Sequence, residues 1–114
     1  MRPQRYRAGE LTEKITLRKI MKEDDGGGGF IRTSVDYATT RAKIIPRYGS
    51  EQVNNERVET LAGYTVIIYT RPDVDELTHV YWHQQNRLLE ITFVMRTAAR
   101  NLFTVIETNM GRPV

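Results

Sequence analysis

Most of the chain after its first dozen residues alternates apolar and polar side chains with a period of two, and this pattern constrains the fold most strongly. In residues 38–44, for example, small or aliphatic side chains alternate with a threonine, an arginine and a lysine. Successive side chains of a β-strand point to opposite faces of a sheet, so the pattern is typical of strands with one buried face. The same segments are rich in Val, Ile, Thr and Tyr, which suit a pleated surface.

Six segments carry the strand pattern and are separated by turn-forming residues. They are residues 13–21, 30–45, 64–71, 78–84, 86–97 and 101–108. Pro46 lacks a backbone donor and is predicted to end the second strand, and a tight turn near Gln85 and Asn86 is predicted to join the fourth strand to the fifth. The third strand is apolar on both faces, which predicts either cover on both sides or a core on one side and a neighbouring subunit on the other.

The segment 47–63 does not follow the strand pattern. Ser50 is a suitable helix N-cap, a loose apolar stripe follows it, and Gly63 is a natural helix stop. These signals predict one short helix, with an extended loop as the alternative because Asn54 and Asn55 lower helix propensity. Since βαβ alternation is absent, we predict an all-β, mainly antiparallel fold: a small six-stranded β-barrel with one short helix or long loop between strands two and three.

The chain has 114 residues, so we expect one domain over 1–114, with a basic N-terminal arm at 1–10 and a flexible tail at 109–114. It has no cysteine, which excludes disulfides, thiolate metal sites and thiol nucleophiles. The apolar runs are too short for a membrane span and no secretory signal is recognisable, so we expect folding in a cytoplasm. The arm's arginines suit contacts with phosphates or with an acidic protein, and composition does not decide between these partners: Arg2, Arg5 and Arg7.

The sequence KEDDGGGGF, residues 22–30, contains the low-complexity tract of the chain. A phosphate-binding loop needs spaced glycines, a lysine and a hydroxyl at fixed offsets and a following helix, and these are missing. A calcium loop needs ligands around a central glycine, whereas the carboxylates here all lie on one side. We interpret the stretch as a flexible connection between two strands, formed by Glu23, Asp24, Asp25, Gly26, Gly27, Gly28 and Gly29.

The remaining candidates for catalysis or metal binding have simpler interpretations. His79 and His83 are four residues apart, which on a strand separates their Cα atoms by about 13 Å, too far to bind one ion. Ser34 and Ser50 lack the sequence context of an activated nucleophile. We expect no enzyme activity, no catalytic residue, no metal and no cofactor.

The order of short motifs along the chain resembles the head-tail joining proteins of tailed bacteriophages, also called head closure or stopper proteins. The motifs are RAGEL at 7–11, an Ala-x-x-x-Ala-x-Ile-x-Pro run at 38–46, and YTRPDVDEL at 69–77, which leads into an aromatic hairpin. The resemblance covers residues 7–108, nearly the whole chain.

This resemblance implies a structural protein of the virion neck, assembled in the cytoplasm of the host bacterium. It implies a homo-oligomeric ring, sixfold or twelvefold, that closes the DNA-filled head below the portal and adaptor proteins. The ring would offer a docking surface to a tail terminator or tail tube protein, without catalysis or membrane contact. In the family the segment after the second strand tends to face the channel, which implies lumen-facing positions for Glu51, Gln52, Asn55, Glu56 and Glu59. A mildly acidic lining would let double-stranded DNA slide past without sequence-specific binding.

Two further expectations accompany this interpretation. The loop 23–29 spans at most about 25 Å, and we expect it to be mobile in the free subunit and ordered at an inter-ring or inter-subunit contact. The alternative functions are another neck or tail ring protein, such as a tail terminator, or a small OB-like barrel that binds nucleic acid. The nucleic-acid interpretation would use Arg2, Arg5, Arg7, Arg18 and Lys19, although few aromatic residues are interleaved with them.

Overall fold

The structure, a computed structural model, describes residues 7–53, 56–95 and 102–114. Within these ranges the elements are a 3-10 turn at Ala8–Glu10 and seven strands. The strands are β1 Glu13–Asp24, β2 Phe30–Val53, β3 Glu56–Tyr69, β4 Thr78–Trp82, β5 Arg87–Met95, β6 Phe103–Thr108 and β7 Arg112–Pro113. Each of the described strand pairs is antiparallel, which confirms the predicted fold class.

Six of the strands form a closed circuit. The order across the sheet is β4-β1-β2-β3-β6-β5-β7, and an additional β4–β5 pairing joins the two ends of the six-stranded part. A sheet that closes on itself in this way is a small barrel, whose interior is filled by side chains. The two-residue strand β7 lies beside β5 at the start of that strand.

The core fills the interior of this circuit and comes from alternate positions of the strands. In β2, Ala42 is fully buried and Ile44 packs against the core, as the alternation predicts. Trp82 contacts Tyr64 edge to face, with the ring centroids 5.3 Å apart. The buried cluster consists of Ile15, Leu17, Ala42, Val66, Ile68, Val74, Val80, Trp82, Leu89, Ile91, Val94 and Ile106.

Two hairpins extend past the barrel because β1, β2 and β3 are longer than their neighbours. The first ribbon is the end of β1 and the start of β2, residues 20–24 and 30–34, beyond the last pairing of β1 with β4 at Lys19. The second ribbon is the end of β2 and the start of β3, residues 48–53 and 56–61, which precede the pairing of β3 with β6. The radius of gyration is 16.6 Å, against about 13 Å for a compact chain of this length.

The predicted short helix is wrong, and so is the alternative of a long loop. The segment 50–63 instead forms the end of β2 and the start of β3, which pair directly from Ser50↔Glu59 to Val53↔Glu56. The two residues between these strands are asparagines, a composition typical of two-residue hairpin turns. Their structure lies outside the described residues.

The prediction that Pro46 ends the second strand is wrong, because Pro46 lies within β2 opposite Tyr64. Proline is tolerated in a strand where one edge has no hydrogen-bonded partner. Beyond Ala42 the β1 ladder has ended, so β2 is paired on its β3 edge alone.

The N-terminal segment covers part of the outer surface of the barrel. Leu11 and Ile67 are both buried, yet neither belongs to the core cluster. Glu10, beside Leu11, bonds to Lys43 at 3.2 Å, and Lys43 is the cross-strand partner of Ile67. The third predicted strand was expected either to be covered on both sides or to face a neighbouring subunit. At Ile67 the first alternative holds, because this chain itself buries the outward side chain.

The C-terminal residues, expected to be a flexible tail, lie along β5. The Asn109 amide donates to the Glu90 carbonyl at 3.0 Å, and Arg87 Nε donates to the Met110 carbonyl at 2.7 Å. Asn86 bonds to both the amide and the carbonyl of Val114. Polar groups of β5 and of the preceding turn therefore hold this segment by hydrogen bonds. A hydropathy pattern does not predict such bonds. No helix in the described residues is long and apolar enough to cross a membrane.

Candidate interaction surfaces

The glycine run forms the turn at the end of the first ribbon, after the last pair Asp24↔Phe30. The Asp25 carboxylate accepts hydrogen bonds from the amides of Gly27 at 2.8 Å and Gly29 at 3.0 Å. These amides, Gly27 first, hold the pKa of Asp25 below its usual value. Gly26 and Gly28 have φ angles of 80° and 87°, which favour glycine. The turn thus has a defined hydrogen-bonded geometry within one chain, and its carboxylates bond mainly to their own backbone.

Both faces of the first ribbon carry exposed apolar side chains, Met21 and Ile31 on one face and Phe30, which is 73% exposed, on the other. One face, here called the ribbon face, continues the inward face of β1 past the end of the barrel. Met21 and Ile31 on it are 50% and 54% exposed. Its members within the ribbon, assigned from the pairing register, are Met21, Glu23, Ile31 and Thr33, and the pair Lys19 and Val35 continues the same face at the base of the ribbon. On the opposite face Arg18 pairs with Asp36 at 2.6 Å. The inward face of β1, which is buried at Ile15 and Leu17, is therefore exposed to solvent where it continues into the ribbon.

The second ribbon contains the residues predicted to line a channel. The structure brings Glu51, Gln52, Glu56 and Glu59 together in one hairpin, and Asn55 lies outside the described residues. The register places Glu56 on one face of this hairpin and Glu59 on the other. Glu56 and Glu59 are exposed. The hairpin thus presents a carboxylate on each face. A channel lined by either face of the hairpin would be acidic.

A second apolar surface, here called the outer patch, lies on the outside of β3, β6 and β5. Tyr69 stacks on Phe103 with the ring centroids 5.4 Å apart, and Val105 pairs with Ile67 on one side and Met95 on the other. Tyr69 is 46% exposed and Phe93 is 49% exposed. The outer patch consists of Tyr69, Phe93, Met95, Phe103 and Val105. Apolar residues alternate with core residues in β5 and β6, but this pattern does not show which face remains uncovered, so the outer patch was not predicted.

Basic residues border the outer patch on the β2 side. Lys14 and Arg41 are direct cross-strand partners and both are exposed. Neither forms an ion pair with another part of the described chain. Like charges directly opposite each other destabilise a sheet, so this pair favours a nearby anionic group. Of the predicted arm contacts, Arg7 is exposed and its amide lies 3.5 Å from the Glu10 carboxylate, whereas Arg2 and Arg5 lie outside the described residues.

The two histidines occupy separate places on the outside of the barrel. His83 follows β4 and its Nε2 lies 2.6 Å from the Thr16 hydroxyl, while His79 is the cross-strand partner of Arg18. Arg18 lies over the Tyr81 ring, 4.9 Å from its centroid. Among the residues that the structure describes, no cluster of histidines and carboxylates could hold a metal ion.

The motif at 69–77 holds the β3–β4 connection against β2. The Tyr37 hydroxyl donates to the Asp73 carbonyl at 2.9 Å and lies 3.2 Å from the Thr78 hydroxyl. Arg71 forms a two-pronged ion pair with Asp73, which lowers the pKa of that carboxyl. Burial raises the pKa of Tyr37. These contacts indicate a structural role for the motif, which fastens the turn beside the base of the first ribbon.

Comparison with known proteins gives a family and a fold. A family model described as phage head completion protein matches residues 6–108. Curated proteins give no sequence match. Among solved structures, a chain from the "Virion of native gene transfer agent (GTA) particle" is similar, with a TM-score of 0.61 and 13% identity over 99% of this chain and 100% of that chain. At this identity the second likeness concerns the fold alone.

Proposed function

This chain belongs to the phage head completion protein family, and from that premise we propose that it forms a ring that closes the DNA-filled head. As a member of this family it is a structural component of the virion head that associates with other head and neck proteins. The proposed ring contains six or twelve copies and lies below the portal and adaptor. It offers its far side to a tail terminator or tail tube protein. This role requires contacts and no catalytic step.

The observation that carries the proposal is the pair of ribbons extending from a barrel that already encloses its own core. Both ribbons use β2, the first at its start and the second at its end. A two-stranded hairpin is only marginally stable by itself in water. Ribbons of this kind add little to the core and are suited to contacts with other molecules. We assign the first ribbon, with its turn at residues 25–29, to contacts between subunits or rings.

The second ribbon is assigned to the channel. Its strands carry Glu51, Glu56 and Glu59 against one arginine, Arg57, so its net charge is negative. Proteins hold DNA chiefly by neutralising phosphates with lysine and arginine, which releases condensed counterions. An acidic lining makes few such contacts, so double-stranded DNA passes without being held by its sequence or by strong backbone attraction.

The alternative of a nucleic-acid-binding barrel has one supporting observation, the exposed Lys14–Arg41 pair. Two neighbouring basic side chains, however, are already paired with carboxylates, Arg18 with Asp36 and Lys43 with Glu10. The outer surface there is therefore partly neutralised. The neighbouring outer patch is apolar, which suits a protein partner better than a phosphate backbone.

A deletion in the producing phage or phage-like element tests the proposed function. We expect heads that package DNA but lose it to the medium, where DNase degrades it, and that carry no tails in electron micrographs. The intact chain supplied in trans restores both properties. Tailed, DNA-retaining particles from the deletion strain would contradict the proposal, and so would heads that never package DNA.

A further inference from the structure

The ribbon face has an apolar surface with no covering layer from the described chain. Within the barrel the inward positions of β1 are filled by Ile15 and Leu17, which are fully buried. Past the barrel the same face carries Met21 and, diagonally across from it on β2, Ile31, each about half exposed. A hairpin needs a further strand layer or another packing partner to become stable in water. The exposed apolar face thus requires a partner surface.

The outer patch has the chemistry and the dimensions of that partner surface. The exposed parts of its aromatic and methionine side chains amount to on the order of 400 Å², as large as the main apolar patch of a typical monomer. Five ribbon residues per strand extend about 16 Å. The distance across β5, β6, β3 and β2 is about 14 Å at the usual strand spacing. A ribbon laid across these strands therefore covers the patch from one side to the other.

Charge sets the direction in which the ribbon would lie. Its far end carries Glu23 on the ribbon face, followed by Asp24 and the turn. The β2 side of the outer patch carries the exposed pair Lys14 and Arg41. With the acidic end over this pair, Ile31 lies near Tyr69. Lys19, at the base of the ribbon, then lies toward Glu107, the cross-strand partner of Phe93.

We propose that the first ribbon of one copy packs across the outer patch of the next copy, with Glu23 beside Lys14 and Arg41. The two surfaces are different regions of the same chain, so the contact is heterologous and can be repeated until a ring closes. The outer patch, the smaller apolar surface of the ribbon face and the polar rims around both approach the roughly 1,000 Å² expected of a specific interface. The proposal rests on the proposed ring and identifies the surfaces that build it.

Disulfide trapping tests this contact without interference from native thiols, because the chain contains no cysteine. A chain carrying Ile31→Cys and a size tag is mixed with an untagged chain carrying Tyr69→Cys and oxidised, and the mixed dimer is separated from both homodimers on a non-reducing gel. The matched control replaces Ile31→Cys by Ser34→Cys, an exposed position on the opposite face of the same ribbon. We expect at least a tenfold higher yield of mixed dimer from the first mixture than from the control.

The charge pairing is tested in the same assay. Glu23→Lys in the Ile31→Cys chain is expected to reduce trapping several-fold, and Arg41→Glu in the Tyr69→Cys chain is expected to restore it. Equal trapping at Ile31→Cys and Ser34→Cys would overturn the contact, and stronger trapping of Ile31→Cys with Met95→Cys would overturn the charge-guided direction. Particle reconstruction reports separately on the ring, so a ring without this crosslink would refute the inferred contact and leave the proposed function standing.

Discussion

Arg47 and Gly63 are cross-strand partners at the point where the barrel ends and the second ribbon begins. Arg47 Nη2 donates a hydrogen bond to the carbonyl oxygen of Thr108 at 2.6 Å. A Cβ added to Gly63 would lie 2.0 Å from that oxygen and 2.8 Å from Nη2. The ladder shifts register immediately after Arg47, which separates the ribbon from the barrel strands. The arginine can therefore reach β6 only because its partner has no side chain.

Substitution of this glycine is expected to destabilise the barrel. Gly63→Ala forces Arg47 or β6 to move, and we expect a loss of about 3 kcal/mol in the free energy of unfolding, at the upper end of overpacking effects. Urea titration followed by the fluorescence of Trp82, the one tryptophan, measures it. Gly49→Ala is the control because a Cβ there meets nothing within 4 Å. Equal stability of the two variants would show that the described packing at Gly63 is wrong.

The hydroxyl of Tyr37 is expected to stabilise the β3–β4 turn. Tyr37→Phe removes its bonds to Asp73 and Thr78 and should cost about 1 kcal/mol. Burial raises the pKa of Tyr37, so its neutral form is favoured in the folded state. This contribution is fully present below the unfolded pKa of about 10 and is lost as the pH rises through the higher folded pKa.

The difference in stability between wild type and Tyr37→Phe should therefore shrink above pH 10. Urea titrations at neutral and alkaline pH measure this difference. Tyr48→Phe is the matched control, since Tyr48 is largely exposed on the second ribbon, and it should leave the stability unchanged. A difference that grows with pH would contradict the assignment.

The turn at the end of the first ribbon should respond to acid through one carboxylate. The pKa of Asp25 is lowered by the amides of Gly27 and Gly29, so these bonds are present above its ordinary value of 3.8 and are lost as the pH falls through the lower folded value. We expect the NMR amide shifts of Gly27 and Gly29 to titrate together with a midpoint below 3.8. Asp25→Asn should abolish the titration, whereas a midpoint above 3.8 would contradict the bonding.

Reversing the charge of the second ribbon should make it hold DNA. The double variant Glu56→Lys/Glu59→Lys is expected to bind duplex DNA more tightly at low salt, with up to about 0.9 added to the salt slope for each new phosphate contact. Particles carrying it should eject DNA more slowly. Glu76→Lys changes charge at an exposed position away from the ribbon and should leave both properties unchanged. Ejection at the wild-type rate from the double variant would argue against a position beside the DNA.

The sequence predicted the strands well because alternation records which side chains face the core. Ala42 and Val80 are buried where the pattern places them. It could not predict the ribbons, since alternation continues past the barrel and their bounds depend on where neighbouring strands end. Two aligned positions of β3 illustrate the limit: Ile67 is buried and Tyr69 is exposed, although both face outward. Only the folded chain shows that Glu10, beside Leu11, bonds to Lys43, the cross-strand partner of the buried Ile67.

The predicted channel residues were partly accessible to sequence reasoning. The acidic composition of the segment is evident in the sequence. The helix prediction was wrong because it relied on Ser50 as a helix cap and on Gly63 as a helix stop, and both residues have other roles in the structure. Ser50 pairs with Glu59 in a ladder, and Gly63 accommodates the Arg47 side chain. The outer patch depended on knowing which face of β5 and β6 remains uncovered, which no local pattern specifies.

The most direct test of the central claim is a cryo-electron microscopy reconstruction of the particle neck that retains its DNA. We predict a closed ring of this chain at the head-tail junction, with the second ribbon, including Glu56 and Glu59, facing the DNA density. A neck that lacks this chain would contradict the proposed function, as would copies that form no ring or that turn the second ribbon to the outside.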